Sequence, residues 1–554
     1  MPTPALGSVN AMSEISEISE ISEISEMNAM NDAAHPRAAA LHALEARLAY
    51  EMACLQLPAA RWTPELEHEG QPVADVALIG AGMAGLALAA ALKHRGMAAV
   101  LFDEAPAGFE GPWATTARME TLRSPKQLAG PAIGLPSLTF RAWFEAQLGS
   151  AAWEALDKIP RLMWMDYLRW YREVLALDVR NGHRVCDVLA RPDGLVELRV
   201  EHEGQVQRCF ARRLVLATGR AGLGGPWVPA WAEALPHTHW AHSADEFDHD
   251  TLRGLRVGVI GAGASAMDSA ASALESGAAR VHLLIRRGDI PRINKGKGAG
   301  NPGFVHGYGR LPDAWKWRYR HYINVEQVPP PRNSTLRVAR HANAFFHLGC
   351  AVHGAEILGA EVRGAEVRGA EICGAEIGGA RTADAAAPRT LHALRVATSA
   401  GPIELDFLVF ATGFALDWAQ RPMLRHIAPH VRQWHHRWRP EAGQDDAELA
   451  AAPDLGEDLE FLPRDDDARA ACPGLGRIHC FCYPAALSRG VITGDIPAIS
   501  EGALQLATSL AALLYAEDVE HHFERLRAYA EPEVLGDEWV AAPLPPWPGG
   551  EPTR

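Results

Sequence analysis

The chain has 554 residues, of which 48% are hydrophobic, and a formal net charge of −15. This length leaves room for two or three domains with sizeable cores. The acidic balance excludes a protein that binds nucleic acid non-specifically, because such binding requires a basic face. Eight cysteines without a C-x-x-C motif indicate reduced thiols and a cytoplasmic location. We find no signal peptide, and no apolar run near the roughly 18 residues of a membrane span.

The N-terminal region is of low complexity. Residues 13–26 read SEISEISEISEISE, and a three-residue period cannot hold isoleucine on one helical face. We therefore predict a disordered tail over 1–35. A predicted amphipathic helix and a linker follow over 36–72, the helix beginning at Pro36 and ending before Pro58.

The segment that begins at Val76, VALIGAGMAGLALAAAL, is typical of a dinucleotide-binding turn between a strand and a helix. Gly80 permits the tight turn, Gly82 leaves room for a pyrophosphate, and Gly85 lets helix and strand pack closely. The next predicted strand ends at Asp103, where a carboxylate can accept hydrogen bonds from ribose hydroxyls. The alternative is a structural glycine turn without a ligand.

A second segment, VGVIGAGASAMDSAASAL from residue 257, repeats the pattern with the small residues Gly261, Gly263 and Ala266. Its following strand ends in Arg286 and Arg287 instead of an acid. Guanidinium groups bind a ribose 2′-phosphate through charge-assisted hydrogen bonds, and Ser265 can add a hydroxyl there. We therefore predict that the first turn binds FAD and the second binds NADPH. The alternative for the arginine pair is a solvated strand end.

Five copies of a five-residue unit begin at Ala355 (AEILG, AEVRG, AEVRG, AEICG, AEIGG). So few copies cannot bury a core as a β-helix would, so we expect a loop insertion over 354–380. Strand–helix alternation is predicted over 75–103, 212–219, 255–285, 393–413 and 478–515. Short aliphatic strands that alternate with helices favour parallel sheets in an α/β fold.

The two turns, together with LVLATGR ending at Arg220 and LDFLVFATGF ending at Phe414, resemble the flavoproteins with two dinucleotide-binding domains. The absence of a redox C-x-x-C or C-x-x-x-x-C motif points within this superfamily to the class B flavin-dependent monooxygenases. The resemblance implies two Rossmann-like domains, with the NADPH domain (226–400) inserted into the FAD domain (73–225 and 401–530). A C-terminal tail over 531–554 completes the predicted organisation.

The resemblance also implies roles for particular residues. GPW places Trp113 near the FAD, PRLMWMDYLRW (160–170) is similar to a stretch of the amine N-hydroxylases, and VITGDIPAISEGALQLA places Asp495 at the flavin end. The alternative for Asp495 is an ordinary helix cap. His242 falls on the histidine of the monooxygenase fingerprint, although the fingerprint's aromatic position holds Glu246 and Phe247 comes one place late. Arg123 is a candidate catalytic cation near the reacting oxygen.

The implied function is that of an enzyme in which NADPH reduces FAD, and FAD then reacts with O2 to a C4a-(hydro)peroxyflavin that oxygenates a small nucleophilic or carbonyl substrate. The predicted partners are therefore a small-molecule substrate and O2, with no nucleic acid, membrane or metal. Two alternatives stay open. One is an FAD/NAD(P)H oxidoreductase that passes electrons to a small molecule or quinone, and the other is a nucleotide-binding sensor or scaffold.

Overall fold

The computed structural model describes residues 37–361 and 392–544. The predicted tail over 1–35 and most of the predicted insertion over 354–380 lie outside the described residues. The predicted N-terminal helix is confirmed as α1, residues 37–54.

The described strands are β1 Leu66–His68, β2 Gln71–Ile79, β3 Ala99–Asp103, β4 Val179–Asn181, β5 Arg184–Ala190, β6 Val196–His202, β7 Gln205–Leu216, β8 Gly225–Pro226, β9 Trp240–His242, β10 Arg256–Ile260, β11 Arg280–Ile285, β12 Ala344–Leu348, β13 Val352–Glu361, β14 His392–Thr398, β15 Gly401–Leu405, β16 Phe407–Phe410, β17 Phe414–Ala415 and β18 Ile478–Cys480.

The α-helices after α1 are α2 Met83–His94, α3 Phe140–Ala155, α4 Arg161–Val174, α5 Ala264–Glu275, α6 Lys295–Ala299, α7 Pro302–Gly307, α8 Asp313–Glu326, α9 Arg332–Ala339, α10 Trp434–Arg437, α11 Ala447–Ala451, α12 Asp466–Ala471, α13 Ala486–Arg489, α14 Ile499–Glu517 and α15 Val519–Ala528.

The first sheet has eight strands and carries the first glycine-rich turn. Its main order is β4-β3-β2-β7-β6-β5, with β1 beside β2 and β18 beside β7. Strands β2, β3, β4, β7 and β18 pair in parallel, whereas β5, β6 and the first half of β7 are antiparallel. The aliphatic run of β2 is buried on both faces from Val76 to Ile79, as parallel strands require. Strand β18 comes from far along the chain, so the chain leaves this sheet and returns to it.

The second sheet carries the second glycine-rich turn and is entirely parallel, in the order β12-β11-β10-β16-β9. Helices α5 and α9 pack together beside it, and a core of small aliphatic residues such as Val257, Ala270 and Leu283 fills the space. The predicted α/β fold with two Rossmann-like units is confirmed.

The prediction of strand–helix alternation over 393–413 is wrong. This stretch forms β14, β15 and β16, and β13-β14-β15 make a separate three-stranded antiparallel sheet. A run of short strands joined by tight turns leaves no room for a crossover helix, and only β16 enters a parallel sheet. The first repeat unit, 355–359, lies within β13, paired with β14.

Two short strands join the two sheets side by side. Strand β8 follows β7, strand β17 follows β16, and the two pair antiparallel through Phe414 opposite Pro226. A β-carbon at Gly224 would lie 1.9 Å from the carbonyl oxygen of Ala415, so the two connections touch at the backbone. This contact fixes one sheet relative to the other.

The stretch that resembles an N-hydroxylase sequence is helix α4, which supplies the aromatic core of the first unit. Trp164 and Tyr167 are buried there against Phe140 on α3. The Tyr167 hydroxyl donates a hydrogen bond to the carbonyl of Leu138, at 2.6 Å, which satisfies its polar group within the core. These aromatic residues therefore have a packing role.

One helix of the described ranges is long and apolar enough to cross a membrane, with a mean hydropathy of 1.2 within 496–517. By composition, the sequence expectation that no run reaches this length is wrong. The helix, α14, buries the stripe Ile499, Ala503, Leu506 and Leu510 and packs against α2. Because this stripe follows the i, i+4, i+7 spacing of a core-facing helix, the packing accounts for the apolar composition.

Strand β7 offers a test of this core, because it carries both a buried and an exposed aliphatic residue. Leu214 is fully buried between β2 and β18, so Leu214→Ala is expected to cost about 2–5 kcal/mol of unfolding free energy. Val206 is 58% exposed on the same strand, and Val206→Ala is expected to cost less than about 0.5 kcal/mol. Chemical denaturation of both variants measures the difference, and equal losses would contradict the assigned core.

Candidate active site

The first glycine turn has the geometry of a phosphate cradle. Gly80 has φ of 102°, and a β-carbon there would lie 2.6 Å from the carbonyl oxygen of Ala217. A β-carbon at Gly85 would lie 2.0 Å from the Gly80 carbonyl oxygen. At Gly82 the nearest atom to such a carbon is 3.8 Å away, and this residue starts α2 without a side-chain cap. An uncapped helix start beside an open backbone position fits the diphosphate of a dinucleotide.

Asp103 ends β3 at the edge of this cradle. Its Oδ2 accepts a hydrogen bond from the Ala81 amide at 2.7 Å, and its Oδ1 accepts one from the Ala105 amide at 2.9 Å. Burial raises the pKa of Asp103, although these two amides act in the opposite direction. Each carboxylate oxygen keeps a second lone pair, so the group can still accept a hydrogen bond from a ribose hydroxyl.

The second glycine turn repeats this geometry. Gly261 has φ of 143°, and a β-carbon there would lie 2.5 Å from the carbonyl oxygen of Ala411. Gly263 has open space at the β-carbon position and starts α5 without a side-chain cap. Ala266 is buried under the turn, and Ser265 is exposed on the first turn of α5. This second cradle also fits a dinucleotide.

Arg286 and Arg287 extend from the end of β11 into solvent. The Arg287 guanidinium donates to the carbonyl of Val325, the residue before the end of α8, at 3.0 Å. Within 37–361 and 392–544, Arg286 forms no side-chain hydrogen bond or ion pair. The pair thus offers two cations at the position where the first cradle has Asp103.

The segment after the first cradle contacts both units. Trp113 packs edge-on against Trp164, with ring centroids 6.4 Å apart, and its carbonyl accepts a hydrogen bond from Arg161 at 2.5 Å. Arg123 forms an ion pair with Asp268 of α5, at 3.3 Å, and keeps 45% of its side chain exposed. Arg123 therefore lies between the two cradles.

Arg118 is the strongest link in this segment. Its guanidinium donates to the carbonyls of Ser243 and Asp245, each at 2.6 Å, and to Nε2 of His249 at 2.8 Å. It also lies over the ring of Phe247, 5.0 Å from the centroid. Burial and the Arg118 charge lower the pKa of His249 to about 4, so this imidazole is neutral at pH 7 and can accept the hydrogen bond.

His242 is buried at the end of β9, and its Nδ1 accepts a hydrogen bond from the Ala244 amide at 3.1 Å. Its ring meets that of Phe414 edge-on, with centroids 5.8 Å apart. The His242 ring thus packs against the chain segment that follows β16. Asp495 precedes α14, and its side chain is exposed to solvent. Partial desolvation by the surrounding protein raises the pKa of Asp495.

A small cavity of about 30 Å³ lies beside the paired connections. It is lined by Arg220 and Phe414 from the connections, Arg320 from α8, Glu448 from α11 and Tyr483 after β18. The Arg220 guanidinium lies 3.6 Å from the centroid of the Tyr483 ring. Burial acts to raise the pKa of Tyr483, but the charges of Arg220 and Arg320 outweigh it, and the pKa is lowered.

A much larger cleft, of about 500 Å³, opens between residues 115–120 of the first unit and 246–250 of the second. Arg118, Arg161 and Arg337 lie on its walls with Glu120 and Glu275. Arg337 forms an ion pair with Glu275 at 2.6 Å, so much of this charge is compensated internally. No group of His, Cys, Asp and Glu side chains with metal-binding geometry occurs in the described ranges.

A family model described as L-lysine 6-monooxygenase/L-ornithine 5-monooxygenase matches residues 148–305. Among solved structures, an ornithine N-hydroxylase of Kutzneria sp. 744 superposes with a TM-score of 0.57 at 18% identity, over 80% of this chain and 99% of that one. The ornithine hydroxylase of Pseudomonas aeruginosa gives 0.56 at 15% identity, over 79% and 98%. These likenesses establish the fold that the two cradles define, which is that of the two-domain flavin monooxygenases.

The chain is more similar in sequence to one relative than to these solved structures. The chain is 36% identical over 499 residues, 90% of its length, to an FAD-dependent urate hydroxylase of Xanthomonas campestris pv. campestris, of which the match covers 97%. The chain belongs to the family of this hydroxylase. The resemblance stated from the motifs is thereby confirmed, and the chain is an FAD- and NADPH-dependent oxidoreductase of the monooxygenase class.

Several residues at these sites carried no sequence signal. Arg118 and Arg320 lie outside every motif, and nothing in their neighbours along the chain distinguishes them from surface arginines. Tyr483 directly follows Cys480 and Cys482, two buried thiols with their sulfur atoms 3.5 Å apart.

The cradle can be tested at Gly85. A β-carbon there collides with the Gly80 carbonyl, so Gly85→Ala is expected to displace the turn and to reduce FAD occupancy at least about tenfold in the purified protein. Gly476→Ala is the control, because a β-carbon at Gly476 meets nothing within 4 Å. Flavin absorbance per protein measures occupancy, and full occupancy in Gly85→Ala would refute the cradle.

Proposed function

We propose that this chain uses NADPH and O2 to hydroxylate urate or a closely related oxidised purine. The observation that carries the proposal is the 36% identity to the Xanthomonas FAD-dependent urate hydroxylase over nearly the whole of that enzyme. One oxygen atom of O2 enters the substrate, the other leaves as water, and NADPH supplies the two electrons that balance the reaction.

The first cradle is the proposed FAD site. Gly80, Gly82 and Gly85 place the backbone and the start of α2 against the diphosphate, and Asp103 accepts from the adenosine ribose. Trp113 and Asp495 are proposed to contact the flavin half of the cofactor. When bound, FAD supplies the redox chemistry with O2, and the protein supplies position and electrostatics.

The second cradle is the proposed NADPH site. Gly261 and Gly263 bring the backbone to the diphosphate, and Ser265 is exposed where a hydroxyl can reach a phosphate or ribose. Arg286 and Arg287 are proposed to bind the 2′-phosphate. Their lack of carboxylate partners in the described ranges supports this role, since both guanidinium groups are available to an anion.

The remaining site residues hold the two cofactor sites in register. Arg118 joins the first unit to the 243–249 loop of the second, and Arg123 joins it to Asp268 on α5. We propose that both contacts lie near the place where the nicotinamide meets the flavin. Arg123 also stays our candidate for the cation near the reacting oxygen, because its guanidinium is half exposed between the cradles.

The match of residues 148–305 to the lysine/ornithine monooxygenase model raises amine N-hydroxylation as a second candidate. That model covers only residues 148–305, whereas the identity to the urate hydroxylase extends over 90% of the chain. We therefore favour urate or a related oxidised purine.

The test is the stoichiometry of turnover. With purified holoenzyme, urate is expected to stimulate NADPH oxidation, with one O2 and one urate consumed per NADPH, followed by an oxygen electrode and the ultraviolet absorbance of urate. L-Lysine and L-ornithine are the comparison substrates. Coupled turnover of either amine, with urate inert, would overturn the proposal.

The NADPH site is tested separately. Changing Arg286 and Arg287 together to alanine removes both proposed 2′-phosphate ligands, so KM for NADPH is expected to rise about 100-fold while KM for NADH changes less than about 3-fold. Arg292→Ala is the control, because Arg292 is an exposed arginine six residues beyond Arg286 and is paired with Asp289 at 2.9 Å. Equal increases in KM for NADPH and for NADH would contradict the assignment of Arg286 and Arg287 to the 2′-phosphate.

A further inference from the structure

We infer that Arg421, in the segment that follows β17, binds the diphosphate of FAD and supplies the positive charge that the first cradle does not contain. This inference rests on the proposed FAD site and adds to it a residue from a distant part of the chain. No motif of the sequence contains Arg421.

The first cradle has no cation of its own. Residues 76–105, which form it, end in Asp103 and Glu104, and their basic residues lie at the far end of α2, from Lys93 onward. Eleven residues of helix separate Lys93 from Gly82, which is roughly 16 Å. A helix start contributes only about half a positive charge, whereas each phosphate of a diphosphate carries a negative charge. A bound FAD therefore requires a cation from elsewhere in the chain.

The segment 417–425 begins against the chain that leaves β7. A β-carbon at Gly224 would lie 2.7 Å from the amide nitrogen of Asp417, and one at Gly225 would lie 1.9 Å from the side-chain oxygen of Gln420. This segment therefore starts beside the first connection, against which the first cradle is also built.

The segment ends on the other side of the first cradle. Arg425 forms an ion pair with Asp187 of β5 at 2.7 Å. Strand β5 starts beside the end of β3, because the His183 amide donates to the carbonyl of Asp103 at 2.9 Å. Strands β3 and β7 flank β2, which carries the cradle. The segment thus crosses the edge of the sheet where the cradle lies, and Arg421 is the middle residue of the crossing.

Arg421 is a half-buried cation without a partner. Its Nε is buried and has no hydrogen-bond partner, and in the part of the chain that the structure describes its guanidinium forms no ion pair. Glu104 is exposed and lies too far away to pair with it. Desolvation of an unpaired guanidinium is costly, so such a group normally has an anionic partner.

The charges that act on Arg421 agree with this position. Burial lowers the pKa of Arg421, whereas the neighbouring Cys482 and Glu104 act to raise it. Glu104 directly follows β3, and Cys482 follows β18, the strand beside β7. Both neighbours therefore lie at strand ends around the first cradle. A guanidinium at this place can bind phosphate oxygens through two charge-assisted hydrogen bonds.

The experiment measures the dissociation constant of FAD from the full-length holoenzyme, by serial dilution and the fluorescence of the released FAD. Arg421→Gln keeps a polar side chain and removes the charge, so it is expected to raise Kd for FAD about 10- to 100-fold. Arg421→Lys restores the charge without the planar fork and is expected to recover part of the affinity.

The salt dependence of Kd separates a phosphate contact from a structural role. Salt screens an ion pair, so Kd of the wild-type protein is expected to rise with ionic strength, and Kd of Arg421→Gln is expected to rise less. Arg439→Gln is the control, because Arg439 belongs to the same part of the chain, is exposed and donates to the carbonyl of His435 at 2.9 Å. Its Kd for FAD is expected to equal that of wild type at each salt concentration.

Two results would overturn the assignment of Arg421. One is a Kd for FAD within about 2-fold of wild type in Arg421→Gln. The other is a weaker affinity with an unchanged salt dependence and a lower melting temperature, which indicates a structural role. Should Arg421→Gln fail to fold, Arg421→Met is measured in its place with the same expectations, because an apolar side chain suits a half-buried position.

The proposed FAD site fails by a different result. Full FAD occupancy in Gly85→Ala would remove the first cradle as the FAD site, and the role of Arg421 with it. Reduced occupancy in Gly85→Ala together with a wild-type Kd in Arg421→Gln would leave the cradle in place and overturn the role of Arg421 alone.

Discussion

The structure depends on one repeated backbone contact. In each unit, the first glycine of the phosphate cradle lies against the carbonyl of the chain segment that leaves the sheet, Gly80 against Ala217 and Gly261 against Ala411. Neither glycine can take a β-carbon, both for the space and for the positive φ that each turn requires. The cradle and the connection are therefore built together, and the two connections then pair through β8 and β17. The chain contains the same turn twice because each copy places a candidate dinucleotide site beside the paired strands β8 and β17.

Charged side chains add a second set of contacts between the two units. The segment after the first cradle is joined to the second unit by Arg118 and Arg123, which bond to backbone carbonyls, a neutral histidine and a buried carboxylate. Hydrogen bonds to charged groups are about twice as strong as neutral ones, so these contacts hold the units in one arrangement. The strand ends differ, with Asp103 at the first and Arg286 with Arg287 at the second, and this difference is the basis of the proposed assignment of FAD and NADPH.

Most of this fold was readable from the sequence, because glycine turns between aliphatic strands and alanine-rich helices leave few alternatives. The strands over 393–413 were misread because a short antiparallel meander lacks a strong period. The site was only half readable. Gly80, Asp103 and Arg286 are fixed by position in a motif, whereas Arg320 and Tyr483 are 163 residues apart and meet only through tertiary packing. Residues that are gathered at a cleft from separate helices and loops leave no local pattern.

In the proposed mechanism, the two cradles deliver electrons from one nucleotide to the other within a single chain. Mixing the holoenzyme with NADPH without oxygen in a stopped-flow instrument, and following the flavin absorbance, tests this transfer directly. We expect one equivalent of NADPH to bleach the oxidised flavin, and oxygenated buffer containing urate then to restore its absorbance as urate is consumed. A flavin that stays oxidised over minutes with excess NADPH would contradict electron transfer between the cradles, because the second cradle would then not present its nucleotide to the first.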